Sequence, residues 1–468
     1  MKSHFLLALL LAASIAAAQS EAGHEHSTKK PEEGQSQAAE QQKHAGHDMG
    51  HMGHGKASDP VMDHSHASSG TAWQPLSLPM HMFSHNVGEW FLMAHGNAFL
   101  TYNQQGGRRG VGKFESTNWL MLMEQRPLGP GTIQFRQMFS AEPGTAPPGG
   151  FPQLFQTGET YKGLPLIDRQ HPHDVFGELA VLYSLPLGER VRWMFYGGPS
   201  GEPAFGPVAY LHRWSASELG AAPLGHHLQD STHISYGVVT SGLVFGPASA
   251  GTIRLEGSAF NGREPDEKRY TIDLAPLDSF SGRLSYDPNA NWSMQYSYAH
   301  LVHPEALEPD NINRQTASVI YNRPRPKLMI GDLEYLSGDN WTTSLIWGRN
   351  HKLLQRTVQN SYLLESVLQF KRKYYAFTRL ELVDKDELFP AQVFPNVDPA
   401  LERSFRIGAY TFGGTRDIAE AAGFQIGLGA DLTFYSKSRL LDPVYGDNPV
   451  SFRVFLRVRP KQSEHHGM

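Results

Sequence analysis

Cysteine is absent from the whole sequence of 468 residues. Its absence excludes disulfide bonds, thiolate chemistry, cysteine-ligated zinc and anchoring through a lipidated cysteine. It also suits a chain that crosses an oxidising compartment, because no wrong disulfide pairs can form there. Functions that depend on cysteine are therefore excluded, whereas an exported protein is still compatible with the sequence.

An excess of basic residues is missing as well. The formal net charge is −5, from 41 Lys and Arg against 46 Asp and Glu. Without a basic stripe, nucleic acid is not expected as a partner. Long hydrophobic runs are absent after the first twenty residues, which excludes a membrane-spanning helix there. A membrane-spanning β-barrel is not excluded, because its strands expose only alternate residues to lipid and need no long hydrophobic run.

The first twenty residues have the layout of a secretory signal peptide. Lys2 precedes the apolar run Phe5–Ala13, and Ala16–Ala18 provide a small-residue cleavage pattern. The apolar run is too short for an uncleaved anchor. We therefore predict a signal peptide over residues 1–18 and an exported mature protein.

Residues 19–72 are predicted to form a disordered periplasmic arm, since they hold almost no aliphatic or aromatic residues. Imidazole suits copper, zinc and nickel, while the thioether of methionine favours Cu(I). The alternative is a solvated spacer that responds to pH. The interleaved methionines favour bound metal, copper first, with zinc, nickel and cobalt open. The predicted ligands are His44, His47, Met49, His51, Met52, His54, Met62, His64 and His66.

From Trp73 onward the periodicity is two, most clearly in Phe424–Phe434 and Val450–Arg459. Such alternation is typical of half-buried strands. Short and long connections alternate along about sixteen predicted strands, as in outer-membrane barrels, apart from a longer connection over 322–340 on the short side. We therefore predict an all-β fold, a transmembrane antiparallel outer-membrane β-barrel of about 16 strands over residues 73–459 with a tail over 460–468. The even count places both ends in the periplasm. A soluble all-β protein is the rival.

Histidines gather where the predicted strands meet the long loops. A mixed set of imidazoles and carboxylates at the barrel mouth could bind a divalent cation. Loop histidines also often serve only to hydrogen-bond the backbone. The predicted second metal site comprises His171, His173, Asp174, His226, His227, His233 and His303. On the first strand, Met93, His95 and Asn97 share the polar side and could extend a path from the arm into the lumen.

The arm segment His44-Ala-Gly-His47-Asp-Met49-Gly-His51-Met52-Gly-His54 leads into the predicted barrel. In this organisation the chain resembles the copper-resistance outer-membrane proteins of the CopB type. The resemblance rests on about fifty arm residues, and the strands are not matched residue by residue. It implies copper sequestration or efflux at the outer membrane, without catalysis. Metal ions, outer-membrane lipids and periplasmic metal-handling proteins are the expected partners.

Two other functions compete with a metal-binding barrel. One is a porin-like channel for small solutes, in which the arm is a spacer and lumen charges set selectivity. Those charges are Arg254, Glu256, Arg283, Asp431, Arg453 and Arg457. The other is an outer-membrane hydrolase that pairs His233 with Ser231 or Ser235. It ranks last because no Gly-x-Ser-x-Gly element is present.

Overall fold

The structure, a computed structural model, describes residues 61–63, 68–247, 251–306, 310–330 and 333–463, without the side chains of 328–336. The predicted signal peptide and the arm ligands His44–His54, His64 and His66 lie outside the described residues. The strands are β1 Met82–Val87, β2 Trp90–Gln104, β3 Gly112–Leu128, β4 Gly131–Phe139, β5 Phe151–Tyr161, β6 Leu164–Gln170, β7 Phe176–Pro186, β8 Val191–Gly201, β9 Ser235–Phe245, β10 Thr252–Phe260, β11 Ser279–Asn289, β12 Trp292–Leu301, β13 Ile312–Pro324, β14 Lys327–Ile330, β15 Leu333–Ser337, β16 Asn340–Lys352, β17 Thr357–Phe370, β18 Tyr374–Lys385, β19 Phe405–Ala421, β20 Phe424–Ser436 and β21 Val450–Pro460.

Helical structure is limited to single turns in the connections. The α-helical turns are α1 Glu142–Thr145, α2 His226–Gln229 and α3 Asp442–Tyr445, and the 3₁₀ turns are Trp214–Ala216, Ser231–His233, Pro399–Leu401 and Arg439–Leu441. In the described part of the chain, no helix is long and apolar enough to cross a membrane.

Sixteen of the strands close into one antiparallel barrel. Each pairs with its neighbour in chain order, with β4 joining β7 and β13 joining β16, and β2 pairs with both β3 and β21 to close the ring. The predicted barrel of about sixteen strands is confirmed. The remaining strands are β1, which pairs with β2, and the two hairpins β5–β6 and β14–β15.

Two connections differ from the sequence prediction. The long connection over 322–340 contains the hairpin β14–β15, so it adds a hairpin on the short-turn side without changing the strand count. The predicted turn Thr415–Ala422 is wrong, because β19 continues to Ala421. Only Ala422 and Gly423 separate β19 from β20, and both have positive φ, at 49° and 78°. A two-residue hairpin turn of this kind needs positive φ at both positions.

The outer surface of the barrel is apolar. Along β10, Ile253 and Leu255 point outward while Arg254 and Glu256 point inward, as the alternation predicts. Aromatic side chains gather near the short-turn end, where the rings of Trp292 and Tyr321 lie 4.4 Å apart. An apolar band flanked by aromatic residues is the surface that a transmembrane barrel shows to lipid.

The lumen is filled by the connection between β8 and β9, residues 202–234, which we call the plug segment. Nearly all of its side chains are buried. It bonds to strands around the ring: the Ala204 amide donates to Ser258 of β10, Arg213 pairs with Glu365 of β17, and Glu218 pairs with Arg459 of β21. Cavities between plug and wall have volumes of about 10 to 30 Å³, room for one or two waters.

The described end of the predicted arm also lies in the lumen. Val61 and Met62 are buried in an apolar cluster with Trp73, and Ser68 and Ser69 are almost fully buried. The Gly70 amide donates to Glu178 of β7. Met62, one of the predicted arm ligands, is therefore packed as a core side chain.

Candidate functional site

The structure brings five of the predicted histidines together at the long-loop end of the lumen. His171 and His173 precede β7, while His226, His227 and His233 belong to the plug segment. Ring centroids lie 5.1 Å apart for His173 and His233, 5.2 Å for His226 and His233, and 5.3 Å for His226 and His227. We call these five residues the histidine cluster. Residues distant in sequence thus meet because the plug folds inward against the 140–175 connection.

Carboxylates hold the imidazoles of the cluster in place. The Nδ1 of His173 lies 2.8 Å from Glu142 Oε2, and the Nδ1 of His226 lies 2.7 Å from Asp230 Oδ1. A carboxylate on one ring nitrogen orients the other toward a metal in many metalloproteins. The cluster therefore has the support that metal-binding histidines usually have, with the ring orientations set by the fold.

One set of ligands is already assembled. Among the residues that the structure describes, His227, Glu264 and Glu305 form the one group of three whose ligand atoms all lie within 4.8 Å of one another. We call it the chelate site. Ligands about 2.0 to 2.2 Å from a shared ion lie at most roughly 4.3 Å apart, so binding requires only a small contraction.

Two polar atoms of the chelate-site residues have no hydrogen-bond partner. The Nδ1 of His227 lies 2.9 Å from Glu264 Oε1, while His227 Nε2 and Glu264 Oε2 are buried without a hydrogen-bond partner. A buried polar atom left unpaired costs roughly 1–3 kcal/mol. The close packing depends on Gly158, whose added Cβ would lie 2.5 Å from the His227 ring.

The electrostatics of the chelate site show a lack of positive charge. Burial, with a smaller contribution from the charge of Glu159, raises the pKa of Glu264 to about 8. Burial and the nearby Glu387 raise the pKa of Glu305 well above its usual range. Burial lowers the pKa of His227 to about 3, so its imidazole is neutral at pH 7 and has a lone pair for a metal. A bound divalent cation would stabilise both carboxylates in their charged form.

The other two residues of the predicted second site are not members of the histidine cluster. His303 is exposed, and its backbone amide donates to Asn311, so it is not part of the buried histidine cluster. Its φ of 46° marks a turn directly after β12, which ends the strand alternation used to place it. Asp174 is buried, but it pairs with Arg269 at 3.4 Å and accepts from Tyr236. Asp174 thus braces the loops around the cluster.

Glu264 and Glu305 were missed by the sequence prediction. Both follow strand ends, in the connections after β10 and after β12. Their segments contain other charged residues, and only the folded loops show which carboxylates approach His227. The nearest sequence signal is the segment His303-Pro-Glu305, where the prediction took the histidine and the structure uses the glutamate.

The hydroxyls of the predicted hydrolase site have other partners. Ser231 Oγ accepts from Arg314 at 2.8 Å, and Ser235 Oγ donates to the Thr232 carbonyl at 3.1 Å. The Nδ1 of His233 contacts the Asp230 carbonyl at 2.7 Å. A nucleophile needs a hydrogen bond to its base, so this geometry does not favour the hydrolase.

The closed strand register, apolar exterior and charged interior define the class of this protein: it is a transmembrane β-barrel of the outer-membrane type, with a porin-like fold. The lumen charges predicted for a porin, from Arg254 to Arg457, all lie on the inner face.

Known structures of this class are similar to the chain. It is similar to an anion-selective porin from Comamonas acidovorans, with 11% identity, a TM-score of 0.45 and coverage of 79% of this chain and 100% of that one. It is also similar to Salmonella typhi OmpF in complex with daunomycin, with 8% identity, a TM-score of 0.45 and coverage of 81% and 100%. For the outer-membrane protein OmpT of Vibrio cholerae the values are 8%, 0.42, 79% and 99%. No protein-family model and no curated protein sequence matches the chain.

Proposed function

We propose that this barrel binds divalent transition-metal ions in its closed lumen, at the chelate site, as part of metal handling at the outer membrane. The observation that carries the proposal is the set His227, Glu264 and Glu305, whose ligand atoms all lie within 4.8 Å of one another and of which Glu264 Oε2 has no hydrogen-bond partner. One imidazole and two carboxylates suit zinc, copper(II) or nickel better than a purely oxygen-binding ion.

The surrounding cations are engaged with other groups. Arg314 donates to Ser231 and Asn350, and Lys352 pairs with Asp386 at 3.1 Å and with Glu387 at 3.3 Å. The hydrogen bonds and ion pairs of these two cations are thus made to other residues than Glu264 and Glu305. Three protein ligands leave further coordination positions for water or for ligand exchange with the histidine cluster. Copper remains the favoured ion for the arm, whose ligands pair imidazole with thioether.

The test is a Zn(II) titration of the full-length protein in detergent. Its background is a chain with leucine for Met49 and Met52 and with serine for all eight arm histidines, which are the six predicted ligands together with His24 and His26. We call it the arm-silent chain. We expect one Zn(II) site that weakens at least about tenfold in Glu264→Gln and in Glu305→Gln, since even outer-shell partners contribute tenfold or more. Glu115→Gln, a buried lumen carboxylate bonded to Asn103, is the matched control. If Glu264→Gln and Glu305→Gln bind Zn(II) as tightly as the control Glu115→Gln, the proposed chelate site is wrong.

A porin-like channel is the second candidate, favoured by the barrel size and by the polar contacts that hold the plug. Sixteen strands enclose enough width for an aqueous pore once the plug moves. Planar-bilayer recordings separate the two: a metal-binding barrel with a seated plug conducts rarely, whereas steady conductance indifferent to Zn(II) supports a general porin.

A further inference from the structure

Four methionines stand on the inner wall of the barrel, where the other strands carry mostly polar residues. Met93 of β2 is the direct cross-strand partner of Met123 of β3, and Met121 of β3 is the partner of Met138 of β4. None is more than 3% exposed. Directly paired side chains on one face lie about 4.5–5.5 Å apart at Cβ, so the thioethers form one patch. We call these four residues the methionine cluster.

Two histidines border the methionine cluster. His95 of β2 is the cross-strand partner of Met121. The plug segment adds His212, whose Nε2 lies 3.3 Å from Met138 Sδ and whose ring centroid lies 5.6 Å from that of His95. The ring of Trp119 covers His212 at 4.3 Å. Wall and plug thus place two imidazoles and four thioethers in one buried volume.

Both histidines have a nitrogen without a partner. His95 Nε2 and His212 Nδ1 are buried and lack a hydrogen bond, although the two residues are only 7% and 8% exposed. Apolar packing explains four methionines, since methionine fills irregular gaps well. It does not explain two buried imidazoles packed against them, because each histidine keeps an unpaired buried nitrogen that costs free energy.

The charge of the cluster selects the kind of ion. Methionine and neutral histidine supply no negative charge, and the adjoining Arg136 is neutralised by Glu178, with Nε and Oε1 2.8 Å apart. A divalent ion would keep its full charge in this buried place, which is costly. Burying a soft monovalent ion there costs less free energy, because its charge is smaller, and such an ion prefers thioether ligands.

We propose that the methionine cluster, with His95 and His212, is a second metal site of the lumen that binds a soft monovalent ion, Cu(I) or its analogue Ag(I). Its donor set differs from that of the chelate site, and the two sites stand or fall separately. Because His212 belongs to the plug and the methionines to the wall, binding also couples the ion to the seated position of the plug.

The experiment titrates Ag(I), and Cu(I) against a competing chelator, into the full-length arm-silent chain in detergent. One Ag(I) ion is expected to remain bound. The double variant Met121→Leu with Met138→Leu should lower its affinity at least tenfold, because leucine keeps the volume and removes the sulfur. Met194→Leu, another buried lumen methionine outside the cluster, is the matched control and should leave Ag(I) affinity unchanged.

A second variant and a spectrum guard against misfolding as the cause of any loss. His212→Gln should also weaken Ag(I) at least tenfold while Zn(II) binding at the chelate site stays intact. X-ray absorption of the Cu(I)-loaded chain should show sulfur neighbours that disappear in the double leucine variant. If the arm-silent chain retains no Ag(I), or if the leucine and glutamine variants bind it as tightly as Met194→Leu, the site does not exist.

Discussion

At the scale of single residues, the lumen is organised by buried charge. Arg213 is fully buried, with its Nε 2.6 Å from Glu365 Oε2 and its Nη1 3.1 Å from Asp230 Oδ2. Burial opposes ionisation of Asp230, but the hydrogen bond from His226 and the charge of Arg213 hold its pKa below the usual range. One arginine therefore links the wall to the acid that orients a histidine of the cluster.

Arg213→Met tests this link. Removing one partner of a buried ion pair leaves uncompensated charge and typically costs about 3–5 kcal/mol. We expect the free energy of unfolding in urea to fall by that order. Arg439→Met, in an exposed connection, should change it by less than about 0.5 kcal/mol. Equal stability of the two variants would contradict the proposed importance of the pair.

At the scale of elements, strands and plug obey different rules. The alternation of β10 and β20 is local, because each residue's side is set by its neighbours along the strand. The plug segment has no such period: its inward path depends on partners in many strands, such as Ser258 and Glu365. A connection of this length is expected from the sequence to be a surface loop, yet the histidine cluster and the contact of His212 with Met138 both depend on where it lies.

The position of the plug segment in the lumen can be tested with an engineered disulfide, because the chain has no native cysteine that would interfere. A Cβ on Gly225 of the plug would lie 2.9 Å from Ser361 Cβ of β17, and a slight adjustment reaches the roughly 3.5–4.5 Å of a disulfide. We expect Gly225→Cys with Ser361→Cys to cross-link on mild oxidation, measured by loss of free thiol. Each single variant serves as control. A double variant that keeps both thiols free under oxidation would show that the plug lies elsewhere.

At the scale of the whole molecule, the barrel has a short-turn end and a long-loop end. β2 begins and β21 ends at the short-turn end, and the chelate site lies toward the long loops. In outer-membrane barrels the short turns face the periplasm. The arm is therefore expected in the periplasm, and the chelate site toward the cell exterior.

This orientation predicts which insertions antibodies reach on intact cells. An epitope in the exposed connection over 386–404 should be labelled without permeabilisation. The same epitope in the turn over 187–190 should be labelled only after the outer membrane is opened. The reverse pattern would invert the proposed orientation. The resemblance to CopB-type proteins and the copper preference of the arm remain predictions.

The sequence by itself determined the barrel, because strand alternation and turn spacing are set by residues close together in the chain and do not depend on distant contacts. It also pointed to His227 through the clustering of histidines near loops. Only the tertiary structure decided that Glu264 and Glu305 complete the chelate site, that His303 lies apart, and that His212 meets Met138. These contacts join residues up to 78 positions apart (His227 to Glu305) through the inward fold of the plug and the loops beside it. No local pattern encodes such a meeting, because it depends on the closed ring that brings the connections over one lumen.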